Sequence, residues 1–249
     1  MNCLNVPFSE HSSLSLQDMV NEDIEHRLKD QPKHQLIRPI HPEINFKYNS
    51  VNLLVGMRRS GKTYNVFREI AKLKYIDHDY DLLLYVTSNG DNDQTFKLWE
   101  PEINLQVAIC SYDESLDIIQ ELKECNSKFN SNKKHARHII IVYDDAMLIF
   151  NKKGYEYKTL FANSQFNATY FLCIQSFKGL PTEIKANIDS VWIFGSFNRQ
   201  QFNYMFLYLA IPIDKEEVYE LYQSITKQDA LYISYSDTSL PEVKVVEKA

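Results

Sequence analysis

Glycine is scarce in this chain, with six in 249 residues, and two of them fall five residues apart inside one stretch, GMRRSGKT at 56–63. Long apolar runs are missing, which excludes an obvious membrane-spanning helix. The N-terminus MNCLNVPFSEHSS lacks the basic-then-apolar pattern of a secretory signal. Cysteine is sparse: Cys3, Cys110, Cys125 and Cys173 are scattered without close Cys/His spacing. They read as reduced intracellular thiols, not as a disulfide framework or a zinc site. No excess of basic charge advertises nucleic-acid binding, since the formal net charge is −6, so any such contact must be local. Repeats and low-complexity linkers are also absent.

What remains is ordinary globular composition, 44% hydrophobic and 24% charged, in a chain long enough for one large α/β domain. Residues 1–47 differ from the rest and read as an N-terminal arm ahead of a domain over 48–249. Leu16, Met19, Val20, Ile24 and Leu28 lie on one helical stripe, with Ser15 as N-cap. Pro32, Pro39 and Pro42 then favour an extended strap. Two placements are open for the arm: packed on its own domain, or docked on a neighbouring subunit.

From residue 50 the rhythm alternates. Apolar runs at 51–56, 82–88, 105–110, 138–145, 169–176 and 190–197 are separated by helical patterns at 62–74, 112–125, 155–165 and 180–187. Two more helices and a terminal strand, ALYISYS, follow Asn198. Short, continuously apolar strands between helices predict an α/β fold whose mainly parallel sheet is covered on both faces.

The stretch VNLLVGMRRSGKTYNVFREIAKL is strand, then G-x-x-x-x-G-K-T, then helix. In that context Gly56 and Gly61 let the backbone curl so that its N–H groups surround phosphates, and the helix start adds its positive end. Gly56, Met57, Arg58, Arg59, Ser60, Gly61, Lys62, Thr63 and Tyr64 are therefore assigned to nucleotide binding. Lys62 reaches the β- and γ-phosphates, and the Thr63 hydroxyl ligates Mg²⁺. A phosphate loop of this kind needs a carboxylate at a neighbouring strand end, and RHIIIVYDDAM supplies Asp144 and Asp145. Asp144 is assigned to the metal through water, and Asp145 to the attacking water. YFLCIQSF ends another strand at Gln175. If that strand lies between the other two, Gln175 orients water at the γ-phosphate; otherwise it is a surface glutamine.

Together, GMRRSGKT, the strand ending Asp144–Asp145 and the strand ending Gln175 resemble the FtsK/HerA-type ATPases. The small size and FGSFNRQQF (194–202) are similar to the genome-packaging ATPases of poxviruses, other large DNA viruses and virophages. The resemblance covers roughly 48 to 210. One departure is visible: many relatives carry Asp-Glu where this chain has Asp144–Asp145. The resemblance implies a P-loop NTPase fold of the RecA/ASCE type, with ATP and Mg²⁺ as ligands. It further implies a ring-forming motor, pentameric or hexameric, that pumps double-stranded DNA without sequence specificity into a preformed capsid. Such a motor would act with capsid vertex or portal-like proteins, in the host cytoplasm or viral factory and in association with the virion. A ring also needs an arginine reaching the next subunit's γ-phosphate, and Arg199 is the first candidate, with Arg58 and Arg59 as others. NSNKKHARH (130–138) and NKKGYEYK (151–158) are short basic loops suited to gripping DNA phosphates.

Three other readings stand beside this one. A nucleoside or nucleotide kinase also uses a phosphate loop, but this chain shows no arginine-rich lid. For a GTPase switch, NKKG (151–154) lacks the guanine-reading aspartate and DDAM lacks the switch glycine. The third is a nucleotide-binding assembly subunit that does not act on DNA.

Overall fold

Each of the inner strands is a run of apolar side chains buried on both faces, and that pattern sets the architecture. The computed structural model describes residues 44–129, 138–150, 167–178, 180–195, 197–209, 211, 213–226, 229–235 and 242–246. All of them belong to one compact unit, Pro42–Lys248. The expected N-terminal arm up to residue 43, the basic loops at 130–137 and 151–158 and the helix expected at 155–165 lie outside the described residues.

The strands are β1 (Val51–Val55), β2 (Tyr80–Val86), β3 (Gln106–Cys110), β4 (His138–Tyr143), β5 (Ala168–Ile174), β6 (Ser190–Phe194), β7 (Ala230–Ser234) and β8 (Glu242–Val246). They form one eight-stranded sheet in the order β3-β2-β4-β5-β1-β6-β7-β8. The first six are parallel, and β7 and β8 extend the sheet antiparallel to their neighbours. The described helices are α1 (Lys62–Ala71), α2 (Gln94–Trp99), α3 (Tyr112–Phe129), α4 (Met147–Phe150), α5 (Thr182–Lys185), α6 (Arg199–Tyr208) and α7 (Lys215–Gln223). The expected mainly parallel α/β sheet with covering helices is what the chain forms. The periodicity anticipates neither α2 nor β8. The first is a single short turn-and-a-half held by its cap, and the second is an edge strand that only pairing with β7 defines.

α1 packs on the sheet through Val66, Phe67, Ile70 and Ala71, all buried. The Phe67 ring meets Tyr85 of β2 edge-on at 4.9 Å and Phe96 of α2 at 5.4 Å, which seats α2 against the helix that follows the phosphate loop. The segment before β1 is tied to the same helix. Asn45 donates through its backbone N–H (3.0 Å) and its amide (3.2 Å) to one oxygen of the fully buried Glu69, whose other oxygen pairs with Lys72 at 2.7 Å. Phe46 beside it packs edge-on against Phe171 of β5 at 5.1 Å.

The sheet order decides where the chemistry sits. β5 lies between β1 and β4, with Val55 opposite Ile174 and Tyr143 opposite Leu172. Parallel strands end on the same edge, so the residues following β1, β4 and β5 emerge side by side.

Candidate active site

β1 delivers Gly56 against two close neighbours. A Cβ at that position would stand 2.4 Å from Ser60 Oγ and 2.8 Å from Phe194 Cβ, and the second cannot yield because it is fixed to the backbone of β6. Gly61 sits at φ 89°, the left-handed region glycine favours, and caps α1 with no side-chain bond to the helix's first N–H groups. Uncapped N–H groups at a helix start are the kind of donors that an anion uses. Arg59 also takes positive φ (62°) although it has a Cβ.

Lys62 folds back over the loop, its ammonium donating to the carbonyls of Gly56 (2.8 Å) and Met57 (3.0 Å). Burial lowers its pKa from the ordinary lysine value, and neighbouring Cys173, Asp144 and Asp145 oppose that shift. Ser60 is fully buried and its hydroxyl has no hydrogen-bond partner. Met57, Arg58 and Arg59 are exposed at the lip of the loop. Tyr64 turns instead toward α2, edge-on to Trp99 at 5.1 Å.

β4 delivers the acids. Asp144 continues the ladder through its N–H to Val86 O (3.0 Å), and its Oδ1 accepts from the Thr63 hydroxyl at 2.9 Å. Two hard oxygens at the mouth of a phosphate loop suit a divalent cation carried by a nucleotide, because Mg²⁺ takes few protein ligands and many phosphate and water oxygens. Burial raises the Asp144 pKa above the usual carboxylate value. The Thr63 hydrogen bond and Lys62 act against the rise, while Asp93 and Asp145 add to it. Burial therefore pushes Lys62 and Asp144 both toward neutrality, and each counters the other's shift.

Asp145 stands at φ 56°, and its Oδ2 accepts from the Gln175 amide at 3.1 Å. The expectation for Gln175 depended on its strand falling between the other two, and β5 occupies that place. The structure thus brings together Gly56, Lys62, Thr63, Asp144, Asp145 and Gln175. Arg199 joins none of these contacts. Asn198 caps α6 in a capping box with Gln201, and Arg199 is the first helical residue. Its guanidinium pairs with Glu216 of α7 and lies 4.6 Å from the Tyr219 ring centre, with the side chain half exposed.

Three residues of the site escape a reading of motifs. Asp93 takes the Tyr85 hydroxyl on one oxygen (2.6 Å) and caps α2 with the other. Cys173 is fully buried on β5 beside Lys62 and Asp144, and burial raises its pKa. The Tyr112 hydroxyl donates to the Asp144 carbonyl. Tyr112 and Asp93 follow β3 and β2, and a parallel sheet sends all such residues to one edge, so strand order would have flagged both.

No protein-family model matches the chain, and no curated protein matches it in sequence. Solved structures match it in fold. B204, the DNA-packaging ATPase from Sulfolobus turreted icosahedral virus, superposes with a TM-score of 0.58 at 14% identity, over 82% of this chain and all of that one. The genome-packaging NTPase B204 from Sulfolobus turreted icosahedral virus 2, in complex with ATP-γS, gives 0.57 at 17% identity over 84% and 98% of the two chains. The pCW3 conjugation coupling protein TcpA, also with ATP-γS, gives 0.54 at 14% identity over 87% and 70%. The resemblance read from the motifs is met at the level of fold: the chain has the P-loop NTPase fold, shared with the B204 genome-packaging ATPases and with the conjugation coupling protein TcpA.

Proposed function

We propose that this chain is the ATP-hydrolysing motor that drives double-stranded DNA into a preformed viral capsid. One observation carries the hydrolytic part. Gln175, which follows the strand between the phosphate-loop strand and the acid strand, is hydrogen-bonded to Asp145, beside the Thr63–Asp144 pair. That pairing supports a reading in which the carboxylate and the amide meet a water approaching a γ-phosphate in the loop. The packaging part is supported by likeness of fold to the B204 ATPases.

The triphosphate would take the donors that line the loop, with Lys62 exchanging its bonds to Gly56 and Met57 for phosphate oxygens. Thr63 and Asp144 would hold Mg²⁺, which when bound neutralises phosphate charge. Asp145 then accepts a proton from the water as its oxygen bonds to the γ-phosphorus and the bond to the ADP oxygen breaks. Gln175 orients that water and steadies the Asp145 carboxylate. In a ring of five or six subunits, Arg199 of a neighbouring copy would supply positive charge to the γ-phosphate. The DNA and a capsid vertex or portal-like protein are the partners, in the cytoplasm of an infected host.

Steady-state ATP hydrolysis with and without duplex DNA tests the reading. DNA-stimulated hydrolysis that vanishes in Lys62→Ala is expected. Phosphoryl transfer to a nucleoside or nucleotide acceptor would overturn it in favour of a kinase. Nucleotide binding without turnover would favour an assembly subunit.

A further inference from the structure

Tyr112 is the first residue of α3, and a capping box fixes where that helix begins. The Ser111 N–H donates to a Glu114 carboxylate oxygen at 2.8 Å, and the Glu114 N–H reaches Ser111 Oγ at 3.4 Å. Ser115 closes the turn twice, through its N–H to Ser111 O (3.0 Å) and its hydroxyl to Tyr112 O (2.8 Å). The Tyr112 ring therefore enters the site from a locked start, nine-tenths buried, and its hydroxyl donates to the backbone carbonyl of Asp144.

A trans peptide is planar, so its C=O and N–H point in opposite directions. Holding the Asp144 carbonyl also aims the Asp145 N–H and thereby sets φ at Asp145. That angle is 56°, in the left-handed region, which aspartate adopts more readily than most residues with a Cβ but still less readily than the ordinary regions. The backbone on either side is held by strands: Asp144 N–H by Val86 O of β2, and Ala146 N–H by Cys173 O of β5 at 2.8 Å. Between them, the Asp144–Asp145 peptide is held through the Tyr112 hydroxyl. Rotation would carry Asp145 out of the left-handed region and alter the backbone from which its carboxylate meets Gln175.

We propose that Tyr112 is a positioning residue for hydrolysis, holding the Asp144–Asp145 peptide so that the Asp145 carboxylate faces Gln175. The proposal rests on the reading of the acid pair as the hydrolytic centre. Tyr112 acts through the backbone of Asp144 and not on the nucleotide.

The experiment is a double-mutant cycle on the full chain with kcat, KM and ATP affinity as readouts. Tyr112→Phe removes only the hydroxyl. It should lower kcat about tenfold, the scale of one net hydrogen bond, and leave KM and ATP affinity unchanged. In the Asp145→Asn background the same substitution should change the residual kcat little, because the carboxylate it positions is gone. A further tenfold fall in that background would overturn the proposal, as would an unchanged kcat in Tyr112→Phe. Loss of ATP affinity together with kcat would mark a merely structural tyrosine and overturn it too. If Asp145→Asn alone turns over at the wild-type rate, the acid-pair reading itself fails, an outcome read independently of Tyr112.

Discussion

Thr63 Oγ1 donates to Asp144 Oδ1 across 2.9 Å, joining the first turn of α1 to the end of β4 over 81 residues of sequence. β5 separates the strands that carry them, so the bond spans the middle of the sheet edge. The phosphate loop and the acid strand thus meet through this side-chain pair, and each half of the site can be tested against the other.

Lys62→Ala removes the one ammonium within the loop. A charge-assisted bond to phosphate contributes roughly 1.5–3 kcal/mol, so ATP affinity should fall by about ten- to a hundredfold and hydrolysis should be lost. Equilibrium binding of a fluorescent ATP analogue measures the first and phosphate release the second. Hydrolysis at the wild-type rate would refute the assignment.

Asp144 and Asp145 should separate by phenotype. Asp144→Asn should weaken Mg²⁺-dependent nucleotide binding. Asp145→Asn should keep binding and lose turnover by about 10²–10⁴-fold, as for a removed base. Because Asn tolerates positive φ, Asp145→Asn should melt at the wild-type temperature or slightly above it, which excludes misfolding as the cause. The opposite pattern, with binding lost in Asp145→Asn and spared in Asp144→Asn, would exchange the two roles.

Gly56→Ala should be poorly tolerated. The added carbon meets Ser60 Oγ at 2.4 Å and Phe194 Cβ at 2.8 Å, so β6 must shift or the loop must open. Overpacking of this kind costs about 1–3 kcal/mol. Thermal denaturation should show the loss, and Ser60→Ala added to it should recover only part, because Phe194 Cβ remains. Full recovery would show that β6 yields more readily than its packing suggests.

Arg199 bears on assembly. Its ion pair with Glu216 is exposed, and pairs of that kind contribute about 0–1 kcal/mol, so Arg199→Ala should barely alter the melting of the isolated chain. If the arginine acts across a subunit boundary, its loss should reduce turnover in assembled rings by about 10³–10⁵-fold. Mixing Arg199→Ala with Asp145→Asn subunits should then recover part of the activity, since some junctions regain one intact acid pair facing one intact arginine. Glu216→Gln, which frees the guanidinium, should not abolish activity. Mixed rings that recover nothing would exclude Arg199 from the neighbour's site and leave Arg58 and Arg59, both exposed at the loop's lip, as the cations to test.

The local parts of this site are legible in the amino-acid order because their physics is local. Two glycines five apart before a lysine, between a strand and a helix, favour a phosphate loop, and the β-branched run HIIIVY between turn signals favours a strand buried on both faces. Strand order is different in kind. Nothing in β5 by itself says that it pairs with β1 on one side and β4 on the other, because those hydrogen bonds join segments more than a hundred residues apart in one case. That pairing brings Gln175 to Asp145. The same long-range packing recruits Tyr112 and Asp93, single residues with no motif around them, by ending their strands on the edge where the phosphate loop opens. It also sets Arg199 beside Glu216, a partner supplied by the next helix and invisible in the pattern around the arginine itself. Sequence alone determined which groups could handle a nucleotide; the order of the strands decided which of them face one another, since only the closed sheet fixes distances between chain-distant side chains.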